Sequence, residues 1–202
     1  IFSIFHENKG RYGYRRITLE LRNRGIIINH KTVYSLMKIL GLQSIQRPKR
    51  KYVSYKGTIG KIADNLLNRE FKADKPNQKW ATDVTEFKIN DKKLYLSPII
   101  DLFNGEIVSY NLSKHPVFNQ VIDMLEKAFC KIPDNTNLIL HSDQGWQYQM
   151  KQYQEMLENK GIRQSMSRKG NCMDNGCTEN FFGILKSEMF YPKEKEYNNL
   201  EE

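Results

Sequence analysis

The sequence predicts an α/β fold, in which a mixed five-stranded sheet carries helices on its faces and follows a small helical domain. From residue 78 onward, strand-like apolar runs and amphipathic helix-like runs come in the order βββαβαβα. Three strands joined by hairpins and then by crossovers satisfy the connection rules for one mixed sheet. Before residue 46, the apolar residues follow helical spacing instead.

Two amphipathic helices are predicted near the N-terminus. The first covers residues 12–24 and ends before Gly25. The second begins after Asn29, a good N-cap residue, and ends at Gly41. Its apolar positions are Val33, Leu36, Met37 and Leu40. The short connection is typical of a helix-turn-helix, so residues 1–45 are the predicted DNA-binding domain; a helical hairpin that only packs is the alternative.

The remaining elements belong to the predicted sheet domain, residues 77–202. The first three strands are expected at 80–89, 93–102 and 105–113, with turns at Asp91-Lys92 and Asn104-Gly105. The later elements are a helix at 117–131, a strand at Leu138–His141, a helix at Met150–Lys160, a strand at Arg163–Ser167, and a last helix from near Asp174 or Thr178 to Met189. We expect the chain to be a piece of a longer protein, truncated at its C-terminus.

The positive charge is concentrated at the N-terminal end. Residues 1–60 carry 13 Lys and Arg against 2 Asp and Glu, and the rest of the chain carries 19 against 21. A polyanion such as DNA is therefore the expected partner of the first part, with a merely solvated basic surface as the alternative. The candidate DNA contacts are Arg15, Arg16 and Lys31 in the helices, and Arg47, Lys49, Arg50 and Lys51 in a basic linker predicted at 46–76. A simple soluble spacer is the alternative for that linker.

Other function classes are excluded by composition. The sequence has no apolar run long enough to span a membrane and no secretory signal at its start. Its three cysteines are too few and too irregularly spaced for a disulfide framework, so we expect a reducing cytoplasm.

Three acidic residues form the candidate active site. Asp83 lies in the first strand, Asp143 follows the fourth strand, and Glu179 lies in the last helix. Brought together by folding, they would form a carboxylate pocket of the kind that binds Mg²⁺. A surface or capping carboxylate is the usual role of a single Asp, and Asp101 and Glu86 compete for a place in the site.

The motifs around these acids resemble those of a known enzyme family. The matching segments are residues 77–87, 95–101, 141–145, 170–175 and 179–186. Together with the Asp, Asp and Glu pattern, in which 35 residues separate Asp143 from Glu179, they resemble the DDE transposases of the insertion-sequence-three family, the type encoded by a second reading frame. The resemblance covers nearly the whole chain. It implies a ribonuclease-H-like, retroviral-integrase-type core, with strands one and four adjacent.

The resemblance also implies the chemistry. Asp83, Asp143 and Glu179 would hold two Mg²⁺ ions, with Mn²⁺ able to substitute. Lys186, seven residues after Glu179, would lie near a terminal DNA phosphate, although a surface lysine is its alternative. Arg168 and Lys169 lie in a loop that would contact DNA beside the site, where Gly176 stands in place of the Ala usual in the family.

A transposase of this kind would cleave a strand at the ends of its own mobile element and transfer the 3′-hydroxyl to another phosphodiester. Its partners would be the terminal inverted repeats and target DNA, and it would assemble as a homo-oligomer on DNA, pass through a branched intermediate and an excised circle, and lie in the bacterial cytoplasm at the nucleoid. Two alternatives are a structure-specific nuclease of the same fold without strand transfer, and a catalytically silent DNA-binding regulator.

Overall fold

The computed structural model describes residues 1–45, 60–194, 196, 197 and 199, without the side chain of Cys172. The chain divides into two units. One contains residues 1–51 together with Lys186–Pro192, and the other contains residues 52–185 together with 193–202. The grouping of Lys186–Pro192 with the N-terminal unit has no counterpart in the sequence-based boundaries.

The N-terminal unit is built on three helices. They are α1 (Phe2–Glu7), α2 (Tyr14–Asn23) and α3 (His30–Ile39). The second and third agree with the two predicted helices, and the side chain of Asn29 caps α3 by accepting a hydrogen bond from the Lys31 N–H at 2.9 Å. The first was not predicted, because six residues are too few for a periodic pattern. The buried core of this unit contains Ile4, Phe5, Ile17, Leu21, Val33 and Met37.

The buried face of α3 is narrower than its sequence predicts. Val33 and Met37 are buried, but Leu36 and Leu40 are 37% and 49% exposed. Only residues spaced by one turn therefore point into this core, and the neighbouring apolar positions lie on the surface of the unit.

The second unit contains a mixed sheet of six strands, with helices between them. The strands are β1 (Lys79–Thr82), β2 (Thr85–Ile89), β3 (Lys92–Asp101), β4 (Ile107–Ser113), β5 (Ile139–Ser142) and β6 (Arg163–Met166). The helices are α4 (Phe118–Phe129), α5 (Lys151–Lys160) and α6 (Gly176–Leu185). The next residues of the chain, Lys186–Phe190, form a π-helical turn that belongs to the N-terminal unit. β1, β5 and β6 run parallel, while β2, β3 and β4 form antiparallel pairs.

The count of six instead of five arises from a break in the predicted first strand. β1 and β2 pair with the same edge of β3 and in one register, because Thr82 lies opposite Ile99 and Thr85 opposite Leu96. That register sets Asp83 opposite Pro98, which has no backbone N–H to offer the ladder. The interruption falls at Asp83 and Val84, so it frees the backbone around a predicted site residue.

The core lies between the sheet and helices α4 and α5. It is formed mainly by large apolar and aromatic residues, among them Trp80, Ile99, Met124, Leu125, Leu138, Leu140, Tyr148, Tyr153 and Leu157. Leu138 and Leu140 come from the run that was predicted as a buried strand, and both are fully buried. This packing fixes β1 and β5 side by side and thereby sets where the acids at their ends lie.

Residues 60–76, the described part of the predicted basic linker, contain no helix or strand and run beside β6. The Leu66 N–H donates to the Ser165 hydroxyl at 2.9 Å, and the Met166 N–H donates to the Asp64 carbonyl at 3.2 Å. Leu67 and Ala73 are buried there. Among the helices of the described residues, none combines the length and the apolar character needed to cross a membrane.

Candidate active site

Asp83 and Asp143 lie at matching positions beyond two neighbouring parallel strands. The register of β1 and β5 pairs Lys79 with Ile139 and Ala81 with His141. Carried two residues further, the same offset aligns Asp83 with Asp143. Side chains at matched positions of adjacent parallel strands project to the same face. The topology therefore brings the two predicted acids together at one edge of the sheet.

Two hydrogen bonds hold the Asp83 carboxylate. Oδ1 accepts from the Val84 N–H at 2.7 Å, and Oδ2 accepts from the Asn175 amide at 2.9 Å. The first is a consequence of the strand break, because Val84 has left the ladder and its N–H turns to the preceding side chain. The side chain is half-buried, so these two donors take the place of water.

Asp143 is held by the tight turn that follows β5. Its Oδ1 accepts from the Gly145 N–H at 2.8 Å. A Cβ built on Gly145 would lie 2.9 Å from that oxygen and 2.6 Å from the Gln147 amide nitrogen, so a side chain at this position would displace the carboxylate or its neighbour. The glycine in the His141–Gly145 motif is thus explained by close approach of the backbone to the acid.

The electrostatics of the pair favour a bound cation. Burial raises the pKa of Asp83 to about 8, with further contributions from the negative charges of Asp143 and Glu179. Burial likewise raises the pKa of Asp143. Two half-buried carboxylates of like charge resist ionising together, and a positive ion between them relieves both the desolvation and the repulsion.

Glu179 lies in the first turn of α6 and is exposed. Its charge contributes to the raised pKa of Asp83, which puts it within electrostatic reach of the pair. Nevertheless, over the residues that the structure describes, no three Asp, Glu, His or Cys side chains converge closely enough to ligate one ion. The fold itself aligns the two aspartates, and the third carboxylate stays a predicted ligand.

The residues present have the chemistry that a hard divalent cation requires. Asp83 and Asp143 supply carboxylate oxygens, the ligand type that Mg²⁺ and Mn²⁺ take. Each aspartate has one oxygen bonded to a backbone N–H and keeps further lone pairs available. The site therefore fits a divalent metal held by Asp83 and Asp143, with Glu179 as the nearby third acid.

A buried aspartate anchors the loop beside these acids. Asp174 has a fully buried side chain, and its carboxylate accepts from the Arg168 guanidinium at 2.7 and 2.9 Å and from Arg69 at 2.9 Å. Hydrogen bonds from Arg168 in particular hold the pKa of Asp174 well below its usual range. Arg168, predicted to contact DNA, thus has a structural partner, and its contact with DNA stays a prediction; Lys169 beside it is exposed.

His141 supports the same loop. Its Nε2 lies 2.9 Å from the Asp174 carbonyl oxygen and its Nδ1 lies 2.8 Å from the Ser165 hydroxyl. A carbonyl can only accept, so Nε2 carries the proton and Nδ1 accepts from Ser165. Burial lowers the pKa of His141, which agrees with a neutral ring. His141 is therefore a buried strand histidine with both ring nitrogens hydrogen-bonded.

Two buried tyrosines behind the acids were not singled out by the sequence. Tyr148 and Tyr153 are fully buried with ring centroids 5.4 Å apart, and the Tyr153 hydroxyl has no hydrogen-bond partner among the described residues. Burial raises the pKa of both, and the charge of Asp143 adds to each shift. The motif Gln147-Tyr148-Gln149 carries no signal of this placement, because it depends on how β5 and α5 pack.

Asp101, a competing acid, has a structural role. Its two carboxylate oxygens accept from the Phe103 N–H at 2.8 Å and the Asn77 N–H at 2.7 Å. Glu86, the other competitor, pairs with Lys93 at 3.0 Å on the exposed side of the β2–β3 hairpin. Neither residue joins the pair formed by Asp83 and Asp143.

Two of the predicted DNA contacts of the N-terminal unit, Arg15 and Arg16, line a cleft of about 680 Å³. It is lined by the basic residues Arg11, Arg15, Arg16 and Lys38 and by the aromatic residues Tyr14 and Tyr34. Arg15 donates to the Tyr14 hydroxyl at 3.1 Å, and Arg16 is paired with Glu188 of the same unit. Basic side chains interleaved with aromatic rings are the combination that nucleic-acid surfaces use.

The other predicted DNA contacts lie elsewhere. Lys31 is exposed in the first turn of α3. Lys186 is half-buried and begins the π-helical turn, where α6 and its regular periodicity have ended. Its contact with a terminal DNA phosphate stays a prediction. Arg47, Lys49, Arg50 and Lys51 lie outside the described residues.

Comparison with known proteins gives the family. Residues 73–172 match the model of the integrase core domain, and residues 1–50 match that of an HTH-like domain. The chain is 56% identical over its 202 residues to the transposase InsK for insertion sequence element IS150 of Escherichia coli strain K12, and it spans 70% of that protein. The chain belongs to the insertion-sequence-three family of transposases. A second member, the transposase InsF for insertion sequence IS3A of the same organism, is 37% identical over 191 residues, which is 95% of this chain and 66% of that one.

The transposase also shares its fold with a solved integrase assembly. A chain of the simian T-cell lymphotropic virus intasome in complex with PP2A regulatory subunit B56 gamma superposes with a TM-score of 0.53 at 20% identity, over 98% of this chain and 62% of that chain. This likeness supports the α/β, ribonuclease-H-like architecture predicted from the element order. The predicted enzyme class is likewise confirmed: the protein is a transposase with an integrase core and a DNA-binding helical unit.

Proposed function

We propose that Asp83, Asp143 and Glu179 are the catalytic carboxylates with which this transposase cleaves DNA at the ends of its mobile element and transfers the resulting 3′-hydroxyl to another phosphodiester. The observation that carries the proposal is the matched register of Asp83 and Asp143, combined with the raised pKa that burial and their neighbouring charges give Asp83. Such a pair has little use in a protein that only binds DNA, because its desolvation costs stability unless a cation is bound.

Each residue has a definable part. Asp83 and Asp143 would hold a divalent cation between them, and Glu179 would complete the ligand set from α6. When bound, Mg²⁺ or Mn²⁺ in such a site polarises phosphoryl oxygens and activates water or a hydroxyl. The backbone N–H groups of Val84 and Gly145 each hold one oxygen of these aspartates, which would keep the carboxylates oriented for the cation.

The same proposal extends to binding and assembly. The basic N-terminal unit would bind the terminal inverted repeats, with Arg15, Arg16 and Lys31 near phosphates and Lys169 and Lys186 nearer the cleaved strand. The site would hold two ions. The transposase would assemble as a homo-oligomer on paired element ends and act in the bacterial cytoplasm at the nucleoid. Target DNA would be the second substrate.

A strand-transfer assay tests this function. Wild-type protein, labelled element-end duplex, an unlabelled target duplex and Mg²⁺ are incubated, and the products are separated under denaturing conditions. We expect Mg²⁺-dependent nicking together with longer, joined products. Nicking without joined products would favour the structure-specific nuclease, and neither product with retained DNA binding would favour the silent regulator.

A further inference from the structure

Asn175 makes a direct contact with a predicted catalytic acid from 92 residues away in the sequence. We propose that Asn175 is a positioning residue of the active site, whose side-chain Nδ2 sets the orientation of the Asp83 carboxylate and whose Oδ1 accepts a hydrogen bond from a water of that site. The inference rests on the proposed catalytic role of Asp83.

The amide orientation follows from its partner. Asn175 Nδ2 lies 2.9 Å from Asp83 Oδ2 and donates to it. With the amide so oriented, Oδ1 of Asn175 is buried and has no partner among the described residues. Asn175 is 6% exposed, so this is an unsatisfied acceptor in the interior beside the acids. A water proton is the natural partner of such an oxygen, and hydrated Mg²⁺ keeps several waters.

The side-chain amide of Asn175 donates the second of the two hydrogen bonds that hold the Asp83 carboxylate. The Val84 N–H fixes Oδ1 of the carboxylate, and the Asn175 amide fixes Oδ2. One contact alone would leave the carboxylate free to rotate about its bond to Cβ. Two contacts from different segments define its plane, which in turn defines where its remaining lone pairs point.

The backbone around Asn175 is held at several points. On one side, the Asp174 carboxylate is bound by Arg168 and Arg69, and the Asp174 carbonyl accepts from His141. On the other side, the Thr178 hydroxyl donates to the Asn175 carbonyl at 3.0 Å. These bonds link Asn175 to β5 and to the segment beside β6, so its amide is presented to Asp83 by a fixed frame.

The position of Asn175 also links the two ends of the predicted triad. It directly precedes α6 and lies four residues before Glu179. The 3-10 turn Cys172–Asn175 leads straight into that helix. The segment that orients Asp83 is therefore the same one that starts the helix bearing Glu179, and its anchoring by Asp174 would align both acids.

Cation binding by the full-length protein without DNA tests this role. Asn175→Ala removes both polar atoms, and Asn175→Leu removes them while nearly keeping the volume. Calorimetric titration with Mn²⁺ should show affinity reduced by about 10- to 100-fold in both variants, as for other residues that orient metal ligands. The melting temperature should stay near the wild-type value. A merely structural role would instead lower the melting temperature together with the Mn²⁺ affinity.

The matched control is Asn111→Ala. Asn111 donates its amide to Asp123 at 3.0 Å, the same kind of bond in the same unit but at an exposed position on β4 and α4. This control should bind Mn²⁺ like wild type. Wild-type affinity in both Asn175 variants would overturn the positioning role and leave the proposed function intact. Loss of folding in both variants would assign Asn175 to the core and also overturn it. No Mn²⁺ binding by wild type itself would overturn the proposed metal site and this inference with it.

Discussion

Asp83 and Asp143 each have their Oδ1 held by a backbone N–H, from Val84 at 2.7 Å and from Gly145 at 2.8 Å, at matching positions beyond β1 and β5. In both cases the donor becomes available because the chain leaves the sheet at that point. The pair is thus built into the ends of two strands and does not depend on a flexible surface side chain.

The first prediction concerns the pH dependence of stability without metal. The folded-state pKa of Asp83 is raised from 3.8 to about 8, so the folded protein binds this proton more tightly than the unfolded chain does. The stability gained from this bound proton is complete below about pH 4 and is lost as the pH rises through 8. As the pH rises from 4 to 8, the melting temperature of metal-free wild type should therefore decrease relative to that of Asp83→Asn, in which residue 83 cannot titrate.

Thermal unfolding in chelator-treated buffers across pH 4–8 measures this difference. Asp91→Asn, in the exposed turn between β2 and β3, is the control and should keep the wild-type slope. Parallel curves for wild type and Asp83→Asn would contradict the assigned burial and repulsion at the pair.

The second prediction concerns Gly176, the first residue of α6. Gly176 has φ −59° and ψ −26°, and a Cβ there would meet nothing within 4 Å. Gly176→Ala should therefore raise the free energy of unfolding by about 0.4–1 kcal/mol, because the unfolded chain loses conformational freedom. Chemical denaturation measures it, with Gly145→Ala as the contrasting variant that should destabilise the protein. Destabilisation by Gly176→Ala would contradict the start of α6 at this residue.

The order of the strands and the aspartates near their ends could be predicted from the sequence because they depend on local patterns. The apolar run before Asp143 is short and bounded by polar residues, as expected of a buried strand, and the Asn104-Gly105 turn marks the β3–β4 hairpin. The break at Asp83 could not be predicted, since Thr82 to Thr85 have ordinary strand composition and the cause is Pro98 on the neighbouring strand. Arg168 is a similar case. Its basic character suggested DNA, and the burial of its partner Asp174 depends on tertiary packing.

The third prediction concerns the electrostatics of DNA binding. Arg15 and Lys31 are both exposed in the basic N-terminal unit. If each neutralises one phosphate, the double variant Arg15→Ala/Lys31→Ala should lower the slope of log affinity against log salt by about 1.8, or about 0.9 per contact. Fluorescence anisotropy over a salt series measures the slope. The control Lys88→Ala/Lys92→Ala removes two exposed lysines of the sheet unit. An equal decrease of the slope in that control would contradict the assignment of DNA binding to the N-terminal unit.

The fourth prediction concerns Lys186. As a cation it cannot ligate Mg²⁺, and a phosphate oxygen is its expected partner. Lys186→Ala should weaken binding to element-end DNA and lower strand transfer, while Lys186→Arg should recover part of both because the charge is kept. Lys193→Ala is the control lysine from the following turn. Wild-type activity of Lys186→Ala on element-end DNA would make Lys186 an ordinary surface lysine.

The most direct measurement of the central claim is single-turnover cleavage and strand transfer by Asp143→Asn on labelled element-end DNA with Mg²⁺. The substitution removes one negative charge from the pair and nearly keeps the volume, so the burial that raises the pKa of Asp143 no longer opposes folding. We expect no detectable cleavage or joining, DNA binding equal to wild type, and a melting temperature equal to or above that of wild type without metal. Measurable turnover by Asp143→Asn under the conditions in which wild type acts would contradict the assignment of this aspartate, and with it the account of the site.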